Sequence, residues 1–185
     1  MVKKKLEKAV FFDRDGGLVV PNIKNGKSFA PRKIKDFKIY KSSAEQVNII
    51  KNLGYKIFVV TNQPDVSRGV ILKKTLNKMH YNLKKKLKID KIFTCVHTPE
   101  KKCKCRKPSP TMILRAANAY GINLKKSFLV GDRLTDIISG KKAGCRTVFI
   151  DRNYKEKKPI NQDVSVSNLK EATKFIKLNT FQWIN

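Results

Sequence analysis

Long hydrophobic runs are missing from this chain of 185 residues. No stretch approaches the ~18 consecutive apolar residues that a membrane span requires, so the sequence predicts no membrane partner. The basic start MVKKKLEK is followed by an apolar run, AVFF, that is too short for the core of a signal peptide. We therefore expect a cytoplasmic protein.

Acidic residues are also scarce, because 14 Asp and Glu stand against 42 Lys and Arg and give a formal net charge of +28. Such a charge can indicate binding to nucleic acid. However, lysine outnumbers arginine, the residue preferred for bidentate recognition of phosphates and bases, and the lysines are scattered along the chain. We interpret them as solvated lysines from a biased composition, which argues against a nucleic acid partner. Attraction of an anionic substrate is the alternative.

Cysteine is rare as well, with four residues in the chain. Three share the segment CVHTPEKKCKC with a histidine, which gives the set Cys95, His97, Cys103 and Cys105. Three thiolates and one imidazole in C-x-H and C-x-C pairs are typical of a closed, structural Zn²⁺ site rather than of disulfides. The fourth, Cys145, is expected to be a small core residue.

Buried-type strands alternate with amphipathic helices along the chain. The predicted strands cover residues 8–13, 56–61, 91–96, 127–132 and 146–150. The predicted helices cover residues 42–55, 72–88, 109–120 and 134–143, and residues 164–178 add a short strand and a last helix. This alternation predicts an α/β fold with a three-layer, Rossmann-like parallel sheet, helices on both faces, and one domain over residues 1–185. Ligands of such folds bind at the carboxyl ends of the strands.

Carboxylates stand at the ends of two predicted strands that are far apart in sequence. In AVFFDRDGG, Asp13 and Asp15 have the same parity along an extended chain, so both can point to one side. In LVGDRLTD, Asp132 can close a cation site from a neighbouring strand. A cation such as Mg²⁺ would remove the repulsion between these carboxylates, and Gly16 and Gly17 let the backbone turn toward a ligand.

Further polar residues near strand ends suit a phosphate ligand. Thr61, in VVTNQ, can donate its hydroxyl to a phosphate oxygen, although an ordinary strand-end threonine is the alternative. Arg106 and Lys107, in CRKP, can offset the charge of a phosphoryl transition state. Asp136 either belongs to the carboxylate cluster or is a first-turn acid favoured by the helix dipole. His80 is interpreted as an ordinary surface or packing residue.

The segments DRDGG, VVTNQ, CRKP and GDRLTD resemble, in this order, the four motifs of the haloacid dehalogenase (HAD) superfamily of phosphohydrolases. Each motif is weak alone, but the ordered set is specific, and it covers about residues 8–150. The resemblance implies a HAD-type sheet with a minimal cap, because the connection 21–41 is too short for a lid domain and is interpreted as a substrate-facing loop. The superfamily usually has Thr or Val where Gly17 stands, which predicts a looser turn and reduced activity.

The resemblance also implies a mechanism that depends on Mg²⁺. Asp13 would attack phosphorus to form an aspartyl-phosphate, and Asp15 would protonate the leaving alcohol and then activate water. Mg²⁺ would lie between Asp13, Asp132 and the backbone carbonyl of Asp15. Thr61 and Lys107 would hold the phosphoryl oxygens.

The zinc loop, residues 95–105, resembles that of two branches, the heptose-bisphosphate phosphatases and the histidinol-phosphate phosphatases. TNQPDVSRG is closer to the heptose branch. That branch implies removal of the 7-phosphate of a heptose 1,7-bisphosphate on the route to nucleotide-activated heptose for surface polysaccharides such as lipopolysaccharide. The substrate-binding residues would then be Asn62, Arg68, Arg106 and Arg133. A zinc-pinned loop would also fix Arg106 and Lys107.

Other functions stay open at the level of sequence. A histidinol-phosphate phosphatase would use the same chemistry, and a polynucleotide 3′-phosphatase would use the positive charge. A basic, zinc-containing nucleic-acid binder would need clustered arginines with exposed aromatics, which the sequence does not show. We expect a monomer that acts on a small phosphorylated sugar. The aromatic tail NTFQWIN, residues 179–185, can pack either on the body of the protein or on a partner.

Overall fold

The computed structural model describes residues 6–181 and contains a six-stranded parallel sheet. The strands of this sheet are β1 (Lys8–Phe12), β4 (Tyr55–Asn62), β5 (Lys91–Cys95), β6 (Phe128–Gly131), β7 (Arg146–Ile150) and β8 (Val164–Val166). Their spatial order is β5-β4-β1-β6-β7-β8, and every pair of neighbours is parallel. The predicted parallel α/β sheet is therefore confirmed.

Helices cover both faces of the sheet. They are α1 (Ser43–Asn52), α2 (Lys73–Leu87), α3 (Thr111–Tyr120), α4 (Leu134–Ala143) and α5 (Leu169–Phe181). Because side chains alternate along a strand, Val10 and Phe12 of β1 pack with α1, α2 and α5 on one face. Ala9 and Phe11 pack with α3 on the other. Among the described residues, no helix combines the length and the apolar character needed to cross a membrane.

The connection between β1 and α1 is more ordered than the loop predicted for residues 21–41. It contains an antiparallel hairpin formed by β2 (Asn22–Lys24) and β3 (Lys27–Phe29). Asn25 and Gly26 make its turn at φ values of 53° and 74°, which is the backbone that Asn-Gly favours in two-residue hairpins. The prediction missed this dipeptide signal.

The turn after β1 is held by backbone hydrogen bonds, and the looser turn predicted from Gly17 stays a prediction. Gly16 N donates to Val19 O at 2.7 Å, and Val19 N donates to Arg14 O at 2.8 Å. A Cβ at Gly17 would lie 2.3 Å from the Asp13 carbonyl oxygen, so this turn leaves no room for a side chain there. The reduced activity predicted from Gly17 stays a prediction.

The ends of the chain lie mostly outside the described residues. Asn179 and Thr180 are buried at the end of α5, whereas Phe181 is half exposed. The rest of the predicted aromatic tail, including Trp183, falls outside the part of the chain that the structure describes.

Candidate functional site

Three carboxylates meet at the carboxyl edge of the sheet. Asp13 follows β1 and Asp132 follows β6, and these two strands are neighbours, with Asp13 N donating to Val130 O at 2.9 Å. Asp136 comes from the first turn of α4. One oxygen from each carboxylate lies within 4.8 Å of the others. The structure therefore brings together the two aspartates on which the predicted cation site depends.

Asp132 is the member of this cluster whose carboxylate oxygens lack a hydrogen-bond partner in the geometry of the described residues. Both of these oxygens are buried. Burial, followed by the charges of Asp13 and Asp136, raises the pKa of Asp132 well above its usual range. The carboxylate lies directly against Gly16, where a Cβ would be 1.7 Å from Oδ2. Orphaned carboxylate oxygens beside a second carboxylate suit a hard divalent cation such as Mg²⁺.

Asp136 fulfils both of the roles considered for it. Its Oδ2 accepts a hydrogen bond from Arg133 N at 3.0 Å, as a first-turn acid does, while Oδ1 lies 2.6 Å from Lys107 Nζ. Its side chain packs on Gly131, where an added Cβ would lie 2.4 Å from the Cβ of Asp136. Because both of its oxygens are already engaged, Asp13 and Asp132 offer the freer ligands for a cation.

Lys107 is buried at the centre of the site. Its Nζ donates to Asp13 Oδ1 at 2.5 Å and to Val60 O at 2.8 Å, and it also pairs with Asp136. Burial opposes the charge on Lys107, but the Asp13 and Asp136 carboxylates outweigh it, so the net effect raises the pKa of Lys107. The lysine predicted to hold phosphoryl oxygens is therefore a fixed positive charge beside Asp13.

Asn62 was predicted to bind substrate, and it lines the cleft. The contacts of its side chain, however, are with the backbone of Lys107. Lys107 N donates to Asn62 Oδ1 at 3.1 Å, and Asn62 Nδ2 donates to Lys107 O at 3.2 Å. Asn62 therefore links the end of β4 to the segment that carries the lysine.

Asp15 stands apart from the three-carboxylate cluster. Its side chain accepts hydrogen bonds from Arg14, at 3.0 Å to Oδ1 and 2.9 Å to Oδ2, and from Gln63 Nε2 at 2.7 Å. Gln63 Nε2 also donates to Thr61 Oγ1 at 2.8 Å, which leaves the Thr61 hydroxyl proton available for another acceptor. The role predicted for the Asp15 carbonyl in holding Mg²⁺ stays a prediction.

Sequence reasoning missed the residues that hold Asp15. Arg14 is fully buried, and its Nη1 lies 3.1 Å from His80 Nε2. His80 is half-buried, as a packing residue would be, and it also contacts Arg14, a polar partner that the sequence interpretation did not include. A sequence signal did exist, because His80 lies four residues after the buried Leu76 on the face of α2 that packs inward.

The cleft above these residues has a volume of about 750 Å³. It is lined by Asp13, Asp15 and Lys107 at its floor, and by hairpin residues 27–30 and residues 155–157 at its sides. The segment predicted to face the substrate lines this cleft through residues 27–30. The cleft is large enough for a sugar phosphate.

The three predicted substrate arginines all line this cleft. Arg68 lies 3.5 Å from Asp65, and Arg106 donates to His97 O at 3.1 Å. Arg133 pairs with Glu156 at 3.1 Å and donates to Ser28 O of the hairpin. Each arginine is thus tied to one side of the cleft.

The cysteine–histidine set converges as the spacing predicted. The ligand atoms of the four residues lie within 4.8 Å of one another. The Sγ atoms of Cys95, Cys103 and Cys105 are 3.2–3.5 Å apart, and His97 Nδ1 is 3.3 Å from Cys105 Sγ. A tetrahedral Zn²⁺ site with Zn–S bonds of about 2.3 Å has edges of about 3.8 Å, so the donor set fits Zn²⁺.

Comparisons with known proteins find relatives that match most of this chain. Residues 104–172 match a family model described as HAD-hydrolase-like. A D-glycero-beta-D-manno-heptose-1,7-bisphosphate 7-phosphatase from Helicobacter pylori is 35% identical over 92% of this chain and 97% of its own. A D-glycero-alpha-D-manno-heptose-1,7-bisphosphate 7-phosphatase from Photorhabdus laumondii is 34% identical over 91% and 96%.

A solved structure shares the fold. The D,D-heptose 1,7-bisphosphate phosphatase from B. bronchiseptica, crystallised with magnesium and phosphate, has a TM-score of 0.79 and 24% identity. The match covers 93% of this chain and 99% of that one.

Proposed function

Because this chain belongs to the heptose-bisphosphate phosphatase family of HAD-like hydrolases, we propose that it removes the 7-phosphate of D-glycero-D-manno-heptose 1,7-bisphosphate. It is a phosphatase, as its curated relatives are. The observation that carries the proposal is the meeting of Asp13, Lys107 and the unsatisfied Asp132 at the floor of an arginine-lined cleft.

The proposed chemistry has two halves. In the first, the Asp13 carboxylate attacks phosphorus, the bond from phosphorus to the sugar oxygen breaks, and the leaving alcohol takes a proton from Asp15, which begins the cycle as the carboxylic acid. In the second, Asp15 accepts a proton from water as the water attacks the aspartyl-phosphate. The product is inorganic phosphate, and both aspartates return to their starting state.

The surrounding residues support this reaction by charge and by donors. The buried ammonium of Lys107, 2.5 Å from Asp13, offsets the negative charge of the phosphoryl group. Thr61 accepts from Gln63 and so directs its own proton toward another acceptor. Asp13, Asp132 and the Asp15 carbonyl would hold Mg²⁺, which would supply positive charge to the phosphoryl oxygens.

The zinc set has a structural part in the proposal. Cys105 is followed at once by Arg106 and Lys107, so a closed Zn²⁺ site fixes the position of both cations. Gln63 N also donates to Cys95 O at 2.7 Å, which joins the zinc loop to the residues around Asp15.

Arginines that line the cleft support a substrate with a second phosphate. Arg68 and Arg106 both line it, and their contacts are with Asp65 and with the His97 carbonyl respectively. The product would keep its 1-phosphate, which a nucleotidyl transfer toward nucleotide-activated heptose requires. Some matching relatives are named for the alpha anomer of the heptose bisphosphate and others for the beta anomer, so both anomers are included in the test. The cytoplasmic location and the monomeric state stay predictions.

A panel of substrates tests the proposal. Phosphate release is measured with Mg²⁺ for both anomers of the heptose bisphosphate, for histidinol phosphate and for a 3′-phosphorylated oligonucleotide. We expect kcat/KM for one heptose anomer to exceed the other two classes by on the order of 10²-fold. Preference for histidinol phosphate would support a histidinol-phosphate phosphatase instead. Preference for the oligonucleotide would support a polynucleotide 3′-phosphatase.

A further inference from the structure

Arg14 is the largest fully buried side chain among the described residues, and its guanidinium needs partners there. Nε and Nη2 donate to the two oxygens of Asp15 at 3.0 and 2.9 Å, and Nη2 also donates to Gln63 Oε1 at 2.9 Å. The ring of Phe37 lies 5.4 Å from the guanidinium carbon. The remaining nitrogen, Nη1, faces His80 Nε2 at 3.1 Å.

The contact between Arg14 and His80 defines the state of the histidine ring. A guanidinium has only donors, so His80 Nε2 must be the acceptor in this hydrogen bond. The ring is therefore neutral and carries its proton on Nδ1. A protonated ring would place a second positive charge 3.1 Å from Arg14, which is the arrangement that this buried site excludes.

The same network controls Asp15. Both oxygens of Asp15 accept from Arg14, and Oδ2 accepts from Gln63 as well. Arg14 is held on its far side by His80, which comes from α2 and lies 66 positions further along the chain. The position of the Asp15 carboxylate at the cleft is thus determined by a chain of contacts from Asp15 to Arg14 to His80.

We propose that His80 is a positioning residue for the general acid Asp15. Its neutral ring accepts a hydrogen bond from Arg14 and so fixes the position of Arg14. The inference rests on the proposed function, because it assigns to Asp15 the proton that the leaving alcohol takes. Without an acceptor at position 80, Nη1 is buried without a partner. Arg14 then turns to find one, and Asp15 loses its fixed position.

The dependence of rate on the leaving group separates this role from a structural one. An alkyl phosphate such as the heptose bisphosphate has a poor leaving group and needs the proton from Asp15. p-Nitrophenyl phosphate has a good leaving group and needs it far less. kcat/KM reports on steps up to the release of the alcohol. The ratio of kcat/KM for the alkyl phosphate to kcat/KM for the aryl phosphate therefore measures how effectively Asp15 protonates the leaving group.

The test compares His80→Leu, which has no acceptor, with His80→Gln, whose amide oxygen can replace Nε2. We expect His80→Leu to lower kcat/KM for the alkyl phosphate by about 10-fold or more and for p-nitrophenyl phosphate by less than about 3-fold. His80→Gln should restore most of the alkyl activity. Asp15→Asn serves as the reference for complete loss of the acid.

Leu83→Ala is the matched control, because Leu83 is a buried residue of α2 that packs in the core on the sheet side. It should lower stability and leave the alkyl-to-aryl ratio unchanged. If His80→Leu does not fold, His80→Asn, whose amide is too short to reach Arg14, takes its place with the same expectation.

If His80→Leu lowered kcat/KM equally for the alkyl and the aryl phosphate, or for neither, the role of His80 would be overturned. A wild-type enzyme that cleaves other alkyl phosphates but not the heptose bisphosphate would overturn the proposed function alone, and the ratio is then measured with the best alkyl phosphate. A wild-type enzyme that cleaves only the aryl phosphate would overturn both.

Discussion

Gly16 and Asp132 are in direct contact across the two halves of the site, because a Cβ on Gly16 would lie 1.7 Å from Asp132 Oδ2. Gly16 has a φ of +96°, a backbone conformation that side chains rarely adopt. The turn after β1 and the unsatisfied carboxylate after β6 therefore fit together only when position 16 has no side chain.

Replacing Gly16 with alanine should displace Asp132 and weaken the cation site. We expect Gly16→Ala to lower kcat/KM by on the order of 10²-fold and to raise the Mg²⁺ concentration that gives half-maximal activity. Gly144→Ala is the control, because Gly144 has a φ of +85° and nothing within 4 Å of the added Cβ. Equal effects of the two variants on Mg²⁺ dependence would contradict this explanation.

Removing the charge of Lys107 should cost both stability and activity. In Lys107→Met, the buried carboxylates of Asp13 and Asp136 lose the ammonium that lies 2.5 and 2.6 Å from them. We expect the free energy of unfolding to fall by about 3–5 kcal/mol in urea titrations, since a buried charge is left unpaired. Lys104→Met, at an exposed position of the same loop, should change it little. If Lys107→Met were as stable and as active as the wild type, Lys107 would have no role in the site.

The zinc loop predicts a defined metal content. Elemental analysis should find about one Zn²⁺ per chain, and Cys103→Ser should lower both the zinc content and kcat/KM, the latter by about 10-fold or more. The activity falls because Arg106 and Lys107 follow the ligand Cys105 directly. Cys145→Ala should keep the zinc, since Cys145 is buried and is not one of the four residues whose ligand atoms converge. A folded, active preparation without metal at this set would contradict the loop's role.

His80 should make the stability of the protein depend on pH in a defined window. Burial, followed by the charge of Arg14, lowers the pKa of His80 from 6.5 to about 3. Between these values the unfolded chain binds a proton that the native state does not, so stability falls as the pH falls. The slope that His80 adds is about 1.4 kcal/mol per pH unit.

The measurement compares wild type with His80→Gln in urea titrations from pH 7 to pH 4. As the pH falls below 6.5, the free energy of unfolding should decrease less steeply for His80→Gln than for the wild type. Above pH 6.5, it should change with pH in the same way for both proteins. Parallel curves over the whole range would show that the ring is free to take up a proton in the native state.

The sheet could be predicted from sequence because its strands are short buried runs that end in polar residues. β7 and α4 have the predicted bounds, and β1 and β5 end one residue early. The carboxylate cluster was predictable for the same reason, since parallel strands place their ends at one edge of the sheet. The zinc set was predictable because spacing alone limits which ligands can meet.

The contacts that hold Asp15 could not be predicted in the same way. Arg14 looks like a solvated arginine between two acids, and its burial depends on packing against Phe37 and α2, which no local pattern encodes. The use of Asn62 to hold Lys107 also depends on two segments 45 positions apart. Such side-chain pairs arise only when the fold is complete.

Trapping the phosphorylated enzyme tests the central claim most directly. Wild-type protein is quenched in acid during turnover with Mg²⁺ and substrate, and the peptide that contains FFDRDGG is analysed by mass spectrometry. We predict one phosphoryl group on Asp13, and in Asp13→Asn neither that group nor phosphate release in a protein that keeps its fold. Phosphate release by Asp13→Asn at the wild-type rate, or a phosphoryl group on another residue, would contradict the account.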